Sequence, residues 1–184
     1  ISESFSVRFA TQEEQKGTGH AVLCALPQVD HDINHVVILC GDVPLITSDT
    51  LRNLVDKHRS GNSVVTVLAV CVQNPKGYGR MIVDDRGIVL RIVEEADASE
   101  EEKKIQLINS GIYCVEKEFL VHSLAKIKSD NAQNELYLTD IVEVASMENK
   151  EVGLFEGIES DEVVGVNTLD DLAKVQALLK VIQP

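Results

Sequence analysis

The apolar run His35-Val36-Val37-Ile38-Leu39-Cys40 and the longer run from Ser63 to Val72 are β-branched and nearly unbroken. That pattern belongs to strands covered by helices on both faces. Between them, Thr47-Ser48-Asp49-Thr50 offers N-cap residues to a helix whose apolar positions Leu51, Leu54 and Val55 repeat at helical spacing. Strand, helix and strand in that order predict a βαβ unit with parallel strands. The pattern then changes: Met81-Ile82-Val83 and the stretch from Ile88 to Val93 flank Asp84-Asp85-Arg86-Gly87, which reads as an antiparallel hairpin. Asn109-Ser110-Gly111 opens a further strand, Ile112 to Val115, and Phe119 to Leu124 is a short amphipathic helix. A second helix begins at Tyr137, short strands follow at Val152–Phe155 and Val163–Val166, and Thr168–Val181 closes the chain as a helix. Toward the amino end, Phe5–Phe9 is strand-like and Ala21–Leu26 helical. The prediction is one α/β domain with a mixed sheet, a parallel core, helices on both faces and an antiparallel hairpin insertion.

Composition narrows the functional classes. With 184 residues the chain can bury a substantial single core. Its net charge of -13 argues against a nucleic-acid partner, which needs a concentrated basic surface. A nucleotide bound here is expected to be small and metal-chelated. Four scattered cysteines, Cys24, Cys40, Cys71 and Cys114, sit mostly in apolar runs and suit reduced core thiols of a cytoplasmic protein. No stretch has the length of a membrane span, and Ile1-Ser2-Glu3-Ser4 is not a signal peptide. The acidic stretch from Ala96 to Lys104 reads as a solvated loop or helix face. The absence of an initiator Met leads to the expectation that the sequence is a piece of something longer.

Candidate chemistry gathers at strand and helix ends. Asp42, in Gly41-Asp42-Val43, stands at the carboxyl end of the first apolar run, where open α/β sheets bind ligands. Asn167 stands at the end of the Val163–Val166 run, just before a helix. Both are hard oxygen donors suited to Mg²⁺, which keeps waters and substrate phosphates in its other positions; read alone, Asp42 also serves as a turn cap and Asn167 as a helix N-cap. Gly17-Thr18-Gly19 joins the first strand to the first helix, so that backbone N–H groups can approach a ligand, or simply connects the two elements. The amides of Gln12 and Gln15 can read donor or acceptor edges of a base. Glu94 and Glu95 end the hairpin, as site groups or surface charges, and Asn109 could hold a sugar hydroxyl or satisfy local backbone. His20 reads as structural, having no metal-ligand spacing to a cysteine or second histidine.

Seven segments together resemble the uridylyltransferase domain of the bacterial bifunctional N-acetylglucosamine-1-phosphate uridylyltransferase and glucosamine-1-phosphate acetyltransferase family. They are Gln12-x-x-Gln15-x-Gly17-Thr18-Gly19-His20-Ala21, Gly41-Asp42-Val43-Pro44-Leu45, Gly77-Tyr78-Gly79-Arg80, Ile92-Val93-Glu94, Ile108-Asn109-Ser110-Gly111, Tyr137-Leu138-Thr139-Asp140 and Gly165-Val166-Asn167. The resemblance covers nearly the whole chain and implies a Rossmann-like, glycosyltransferase-A-like nucleotidyltransferase fold. It implies that Gln12, Gln15, Gly17 and Thr18 hold uracil and ribose. Asp42 and Asn167 would bind Mg²⁺ and serve as the catalytic pair, Gly79, Glu94 and Asn109 would hold the N-acetylglucosamine group, and Tyr137 and Thr139 would lie near the sugar phosphate. The implied reaction joins UTP and N-acetylglucosamine 1-phosphate into UDP-N-acetylglucosamine, releasing pyrophosphate, a step of peptidoglycan precursor synthesis in the cytoplasm.

Two departures qualify the resemblance. The family's opening strand and glycine-rich loop, roughly L-A-A-G-x-G-T-R-M followed by P-K, has no match here. The expectation is that this part is omitted or cleaved, which leaves the fragment poor or inactive in turnover. Cys40 stands where the family commonly carries a tyrosine touching the sugar nucleotide, which loosens the expected sugar selectivity. No acetyltransferase β-helix is represented, and any homo-oligomer is expected through segments outside this sequence. Two alternatives remain: a relative acting on glucose 1-phosphate, dTTP or CTP, and a truncated non-catalytic sugar-nucleotide-binding module.

Overall fold

A computed structural model describes residues 7–156 and 160–182. Its frame is a six-stranded sheet, and the interior strand β2 (Val65–Cys71) explains the burial pattern of the sequence. In β2, Val65, Val67 and Ala69 point to one face and meet α3 (Lys117–Leu124), α4 (Asp140–Met147) and the inner side of α1 (Thr18–Ala25). Leu68 and Val70 point to the other and meet Leu51, Leu54 and Val55 of α2 (Ser48–Ser60). A strand covered on both faces has no polar side, hence its unbroken apolar run. The Thr47 hydroxyl accepts the Thr50 N–H at 3.2 Å and caps α2 as predicted.

The hairpin also forms as read, β3 (Arg80–Val83) against β4 (Val89–Val93). Gly87, at φ +79°, closes its turn with an N–H bond to the Asp84 carbonyl at 2.9 Å. Buried Arg80 leaves β3 to pair with Glu95 at 2.6 Å, and it also donates to the Tyr78 carbonyl, pinning the loop ahead of β3.

Long-range pairing departs from expectation. β1 (His35–Ile38) and β2 do run in the same direction, but β5 (Leu107–Glu116) lies between them, antiparallel to both. The predicted βαβ neighbours are therefore separated, and the parallel pair among the described residues is β2 with β6 (Val152–Phe155). β5 begins at Leu107, ahead of the expected Ile112, and Asn109-Ser110-Gly111 lies inside it. Leu68 opposes Ile112 while Ala69 opposes Asn109, so Ser110 and Gly111 form a bulge.

Three further expectations are corrected. Val163–Val166 is no strand: a 3₁₀ turn spans Ser160–Val163, and the Val166 N–H bonds the Asp42 carbonyl at 2.8 Å, tying the segment to a loop instead of a sheet. Of the expected strand Phe5–Phe9, residues 5 and 6 lie outside the described residues, and 7–9 are irregular. The cysteines are free as read, yet only Cys114 is buried, and Cys40 and Cys71 are exposed. α5 (Leu169–Ile182) closes the described chain. No helix among the described residues is long and apolar enough to cross a membrane.

Candidate active site

A cavity of about 840 Å³ opens at the carboxyl ends of β1 and β4, over the β5 bulge. Its wall includes Thr18, Asp42, Gly79, Glu94, Asn109, Thr139 and Asn167, residues drawn from seven separate stretches of chain.

On one side, Asp42 follows the end of β1, and the backbone bond from Val166 brings Asn167 beside it. A Cβ on Gly165 would lie 3.4 Å from the Asn167 amide nitrogen and 3.7 Å from Asp42 Oδ2, so the two side chains flank one small space. Neither side chain makes a hydrogen bond among the described residues. The N-cap of α5 falls to Thr168, which accepts the Asp171 N–H at 3.1 Å while Asp171 Oδ2 accepts the Thr168 N–H at 3.0 Å. Asn167 is thereby released from capping. One carboxylate and one amide carbonyl fit a hard divalent ion that completes its shell with water and phosphate oxygens; no cluster of three or more His, Cys, Asp or Glu suited to a metal exists among the described residues.

On the opposite side, Glu94 Oε1 accepts the Thr139 hydroxyl at 3.0 Å. A Cβ on Gly79 would stand 3.3 Å from Glu94 Oε2 and 3.0 Å from Ile92, so glycine gives this carboxylate its room. Burial raises the Glu94 carboxyl above its usual range, and Asp97 adds to the rise against the Thr139 bond. Glu95 turns away to Arg80 and to the Gly77 N–H, which makes it structural.

The floor is the bulge. The Asn109 N–H donates to the Gly79 carbonyl at 2.9 Å, its amide donates to the Tyr113 hydroxyl at 2.6 Å, and its Oδ1 accepts the Gly111 N–H at 3.0 Å. The Ser110 hydroxyl donates to the Leu68 carbonyl at 2.7 Å and accepts the Ile112 N–H at 3.2 Å, so side chains of the bulge hold its shape. Burial pushes the Tyr113 phenol up, keeping it a neutral partner for Asn109.

The remaining predicted residues lie off this wall. The glycines of Gly17-Thr18-Gly19 have a packing reason: a Cβ on Gly17 would meet the Leu136 carbonyl at 2.6 Å, and one on Gly19 would meet Ile127 at 2.5 Å. Thr18 alone of the three reaches the cavity, its hydroxyl accepting the Leu138 N–H at 2.9 Å. Gln12 is half-buried against Gly17 and His20, while Gln15 is exposed. Tyr137 lines a neighbouring cavity of about 590 Å³ that shares Glu94 as a wall, and its hydroxyl donates to Gln133 at 2.8 Å. Burial raises that phenol to about 12.

Sequence reading missed Lys76, Asp171 and Lys174 on the main cavity wall. Asn167, Asp171 and Lys174 are four and three residues apart, the spacing of one helix face, and that signal was present. Lys76 sits within the loop of the Gly77-Tyr78-Gly79 motif.

Strand-end oxygen donors over a mixed α/β sheet define a nucleotide-handling site of the open-sheet class. The chain belongs to the nucleotidyl transferase family, whose model matches residues 2–182. It is 49% identical over 174 residues to the bifunctional protein GlmU of Geotalea uraniireducens (strain Rf4), covering 95% of this chain and 38% of that protein. To the GlmU of Geotalea daltonii it is 48% identical over 181 residues, covering 98% of this chain and 40% of the relative. To that of Desulfotalea psychrophila the identity is 44% over 172 residues, 94% and 51% of the two chains. The chain thus spans about half or less of these relatives' length. A Bacillus anthracis protein assigned as a glucose-1-phosphate thymidylyltransferase, crystallised with sucrose, shares the fold at a TM-score of 0.66 and 22% identity, over 91% of this chain and 62% of its own.

Proposed function

We propose that this chain carries the site that joins UTP and N-acetylglucosamine 1-phosphate into UDP-N-acetylglucosamine and pyrophosphate. One observation carries the reading: seven residues from motifs scattered between positions 18 and 167 converge on a single cavity, with Asp42 and Asn167 holding uncommitted oxygen donors at its edge. The 44–49% identity to proteins named GlmU supports the substrate choice.

In this reading the sugar-phosphate oxygen attacks the α-phosphorus of UTP, the bond to the β-phosphate breaks, and pyrophosphate leaves with the electron pair. Asp42 and Asn167 would hold Mg²⁺, which when bound supplies charge neutralisation on the phosphates. Glu94, fixed by Thr139, and Asn109, fixed by Tyr113, accept and donate to the sugar's hydroxyl and acetamido groups. Their rotamers are set before the ligand arrives, which lowers the ordering cost of binding. Gly79 lets the sugar approach the backbone between them. Thr18 closes the nucleotide side, with Gln12, Gln15 and Gly17 next to it for uracil and ribose. Lys76 and Lys174 offset the wall's acidic groups where phosphates would lie. Tyr137 acts one layer away, through the cavity that shares Glu94. Free thiols in all four cysteines support a reducing, cytoplasmic setting, and the product would feed peptidoglycan synthesis.

Calorimetric titration with UDP-N-acetylglucosamine, with and without Mg²⁺ and with UDP-glucose as competitor, tests the reading. Preferential, Mg²⁺-sensitive binding of the N-acetyl sugar nucleotide is expected. Equal affinity for the two sugars would reassign the substrate, in keeping with the small Cys40 thiol on the wall.

A further inference from the structure

Gln12 places its amide nitrogen 3.1 Å from the Gly17 carbonyl and 2.9 Å from His20 Nδ1. A carbonyl only accepts, so the atom facing Gly17 is Nε2, and one of its two N–H bonds is used there. The other points at His20, whose Nδ1 therefore accepts. The ring proton then sits on Nε2, which faces Cys24 Sγ at 3.8 Å; this tautomer is assigned from the hydrogen bonds. The anchor itself cannot swing, because the Leu136 N–H bonds the Lys16 carbonyl at 2.8 Å and the Gly19 N–H bonds the Leu136 carbonyl at 2.7 Å on either side of Gly17. With both N–H bonds committed, Oε1 is the only part of the Gln12 amide left for a ligand. It can accept and cannot donate.

That single polarity distinguishes pyrimidines. Uracil and thymine present a donor at N3, whereas cytosine presents a lone pair there. A carbonyl oxygen that can only accept pairs with the first and opposes the second, and a polar group left facing a lone pair is where hydrogen-bonding sites discriminate most. We propose that His20 is a positioning residue: by accepting from Gln12 it leaves the amide only its oxygen to offer a ligand and makes the base subsite selective for a pyrimidine bearing N3–H over cytosine. The proposal rests on the nucleotide assignment above and goes beyond it by naming what sets the base choice.

The test uses calorimetric affinities of the protein for UTP and CTP, together with ¹⁵N NMR of the histidine ring. The unaltered protein should prefer UTP by about 10- to 100-fold and show the His20 proton on Nε2. His20→Ala frees one Gln12 N–H and lets the amide turn, so the preference should collapse toward parity. His20→Asn, whose Oδ1 can accept near the place of Nδ1, should retain most of it. A merely structural role would weaken both nucleotides together and leave their ratio unchanged in His20→Ala. That result, or a proton found on Nδ1, overturns the positioning role while leaving nucleotide binding intact. Failure of the unaltered protein to prefer UTP refutes the base assignment itself, and the positioning role with it.

Discussion

Gly111 lies at the centre of the cavity floor with φ +78°, and a Cβ added there would stand 2.5 Å from Cys40 Sγ. Cys40 in turn donates its thiol to the Gly111 carbonyl at 3.4 Å. Gly111→Ala therefore carries two separable costs. The left-handed backbone costs about 1–2 kcal/mol for any side chain. The contact with sulfur adds about 1 kcal/mol, the low end for overpacking, because one rotation about χ1 moves the thiol aside. The sum, about 2–3 kcal/mol, lowers the melting temperature by roughly 4–12 °C in a protein of this size. Cys40→Ala alone, at an exposed position, should change stability by less than about 0.5 kcal/mol. In the Gly111→Ala background it should restore about 1 kcal/mol and leave the backbone part in place. Urea unfolding of the four proteins of this double-mutant cycle reads both parts. Additivity within about 0.5 kcal/mol would show that the sulfur has no part in requiring glycine, and a stable Gly111→Ala would remove the backbone argument too.

Three further outcomes are expected. Glu94→Ala should weaken N-acetylglucosamine 1-phosphate binding by about tenfold or more with UTP affinity little changed, and calorimetry showing equal losses would sink the sugar assignment. Asp42→Asn should abolish the Mg²⁺ dependence of sugar-nucleotide binding while leaving metal-free binding alone; an unchanged dependence places the ion elsewhere. Between pH 6.5 and 4, buried His58 and half-buried Asp140 act on stability in opposite directions. Burial, helped by His35, lowers His58 to about 4, so its unfolded form takes up the proton first and stability is lost as pH falls through that window. Burial, helped by Glu143, raises Asp140 to about 6, so its folded form takes up the proton first and stability is gained over the same window. Each is worth roughly 3 kcal/mol at full extent, so Asp140→Asn should lose about 3 kcal/mol more than its parent between pH 6.5 and 4. Parallel pH curves in chemical denaturation would refute the balance.

Elements fixed by nearby residues were legible: the two-sided burial of Val65 to Val70, the Thr47 cap, and the Asp84–Gly87 turn all depend on neighbours in sequence. What pairs with what was not. Nothing local to Val37 or Val67 says that Tyr113 will lie between their strands, and Val163–Val166 has strand composition but is tied through the Val166 N–H to the Asp42 carbonyl instead of to a strand. The site followed the same division. Asp42 and Glu94 could be singled out from their places after strands, Asn109 and Asn167 from strand ends that the structure does not form, and the structure brings all four to one cavity. The purpose of Gly17 and Gly19 was hidden, because the Leu136 backbone and Ile127 side chain they accommodate are over a hundred residues away. Tyr137 shares a motif with Thr139, yet the approach to α4 sends the two side chains to different cavities.

The position of β5 has a consequence for how the chain is made. His35–Ile38 has no partner among the described residues other than 113–116, roughly 80 residues later. At about 5–20 residues per second, a ribosome takes on the order of 4–16 s to deliver that partner. Throughout that interval β1 waits for its partner among the described residues, and β2 lacks the strand that will separate it from β1. Assembly is therefore late and concerted, governed by closure of long loops. A nascent chain stalled before Glu116 should remain protease-sensitive within β1 and β2, and one released beyond it should gain protection there.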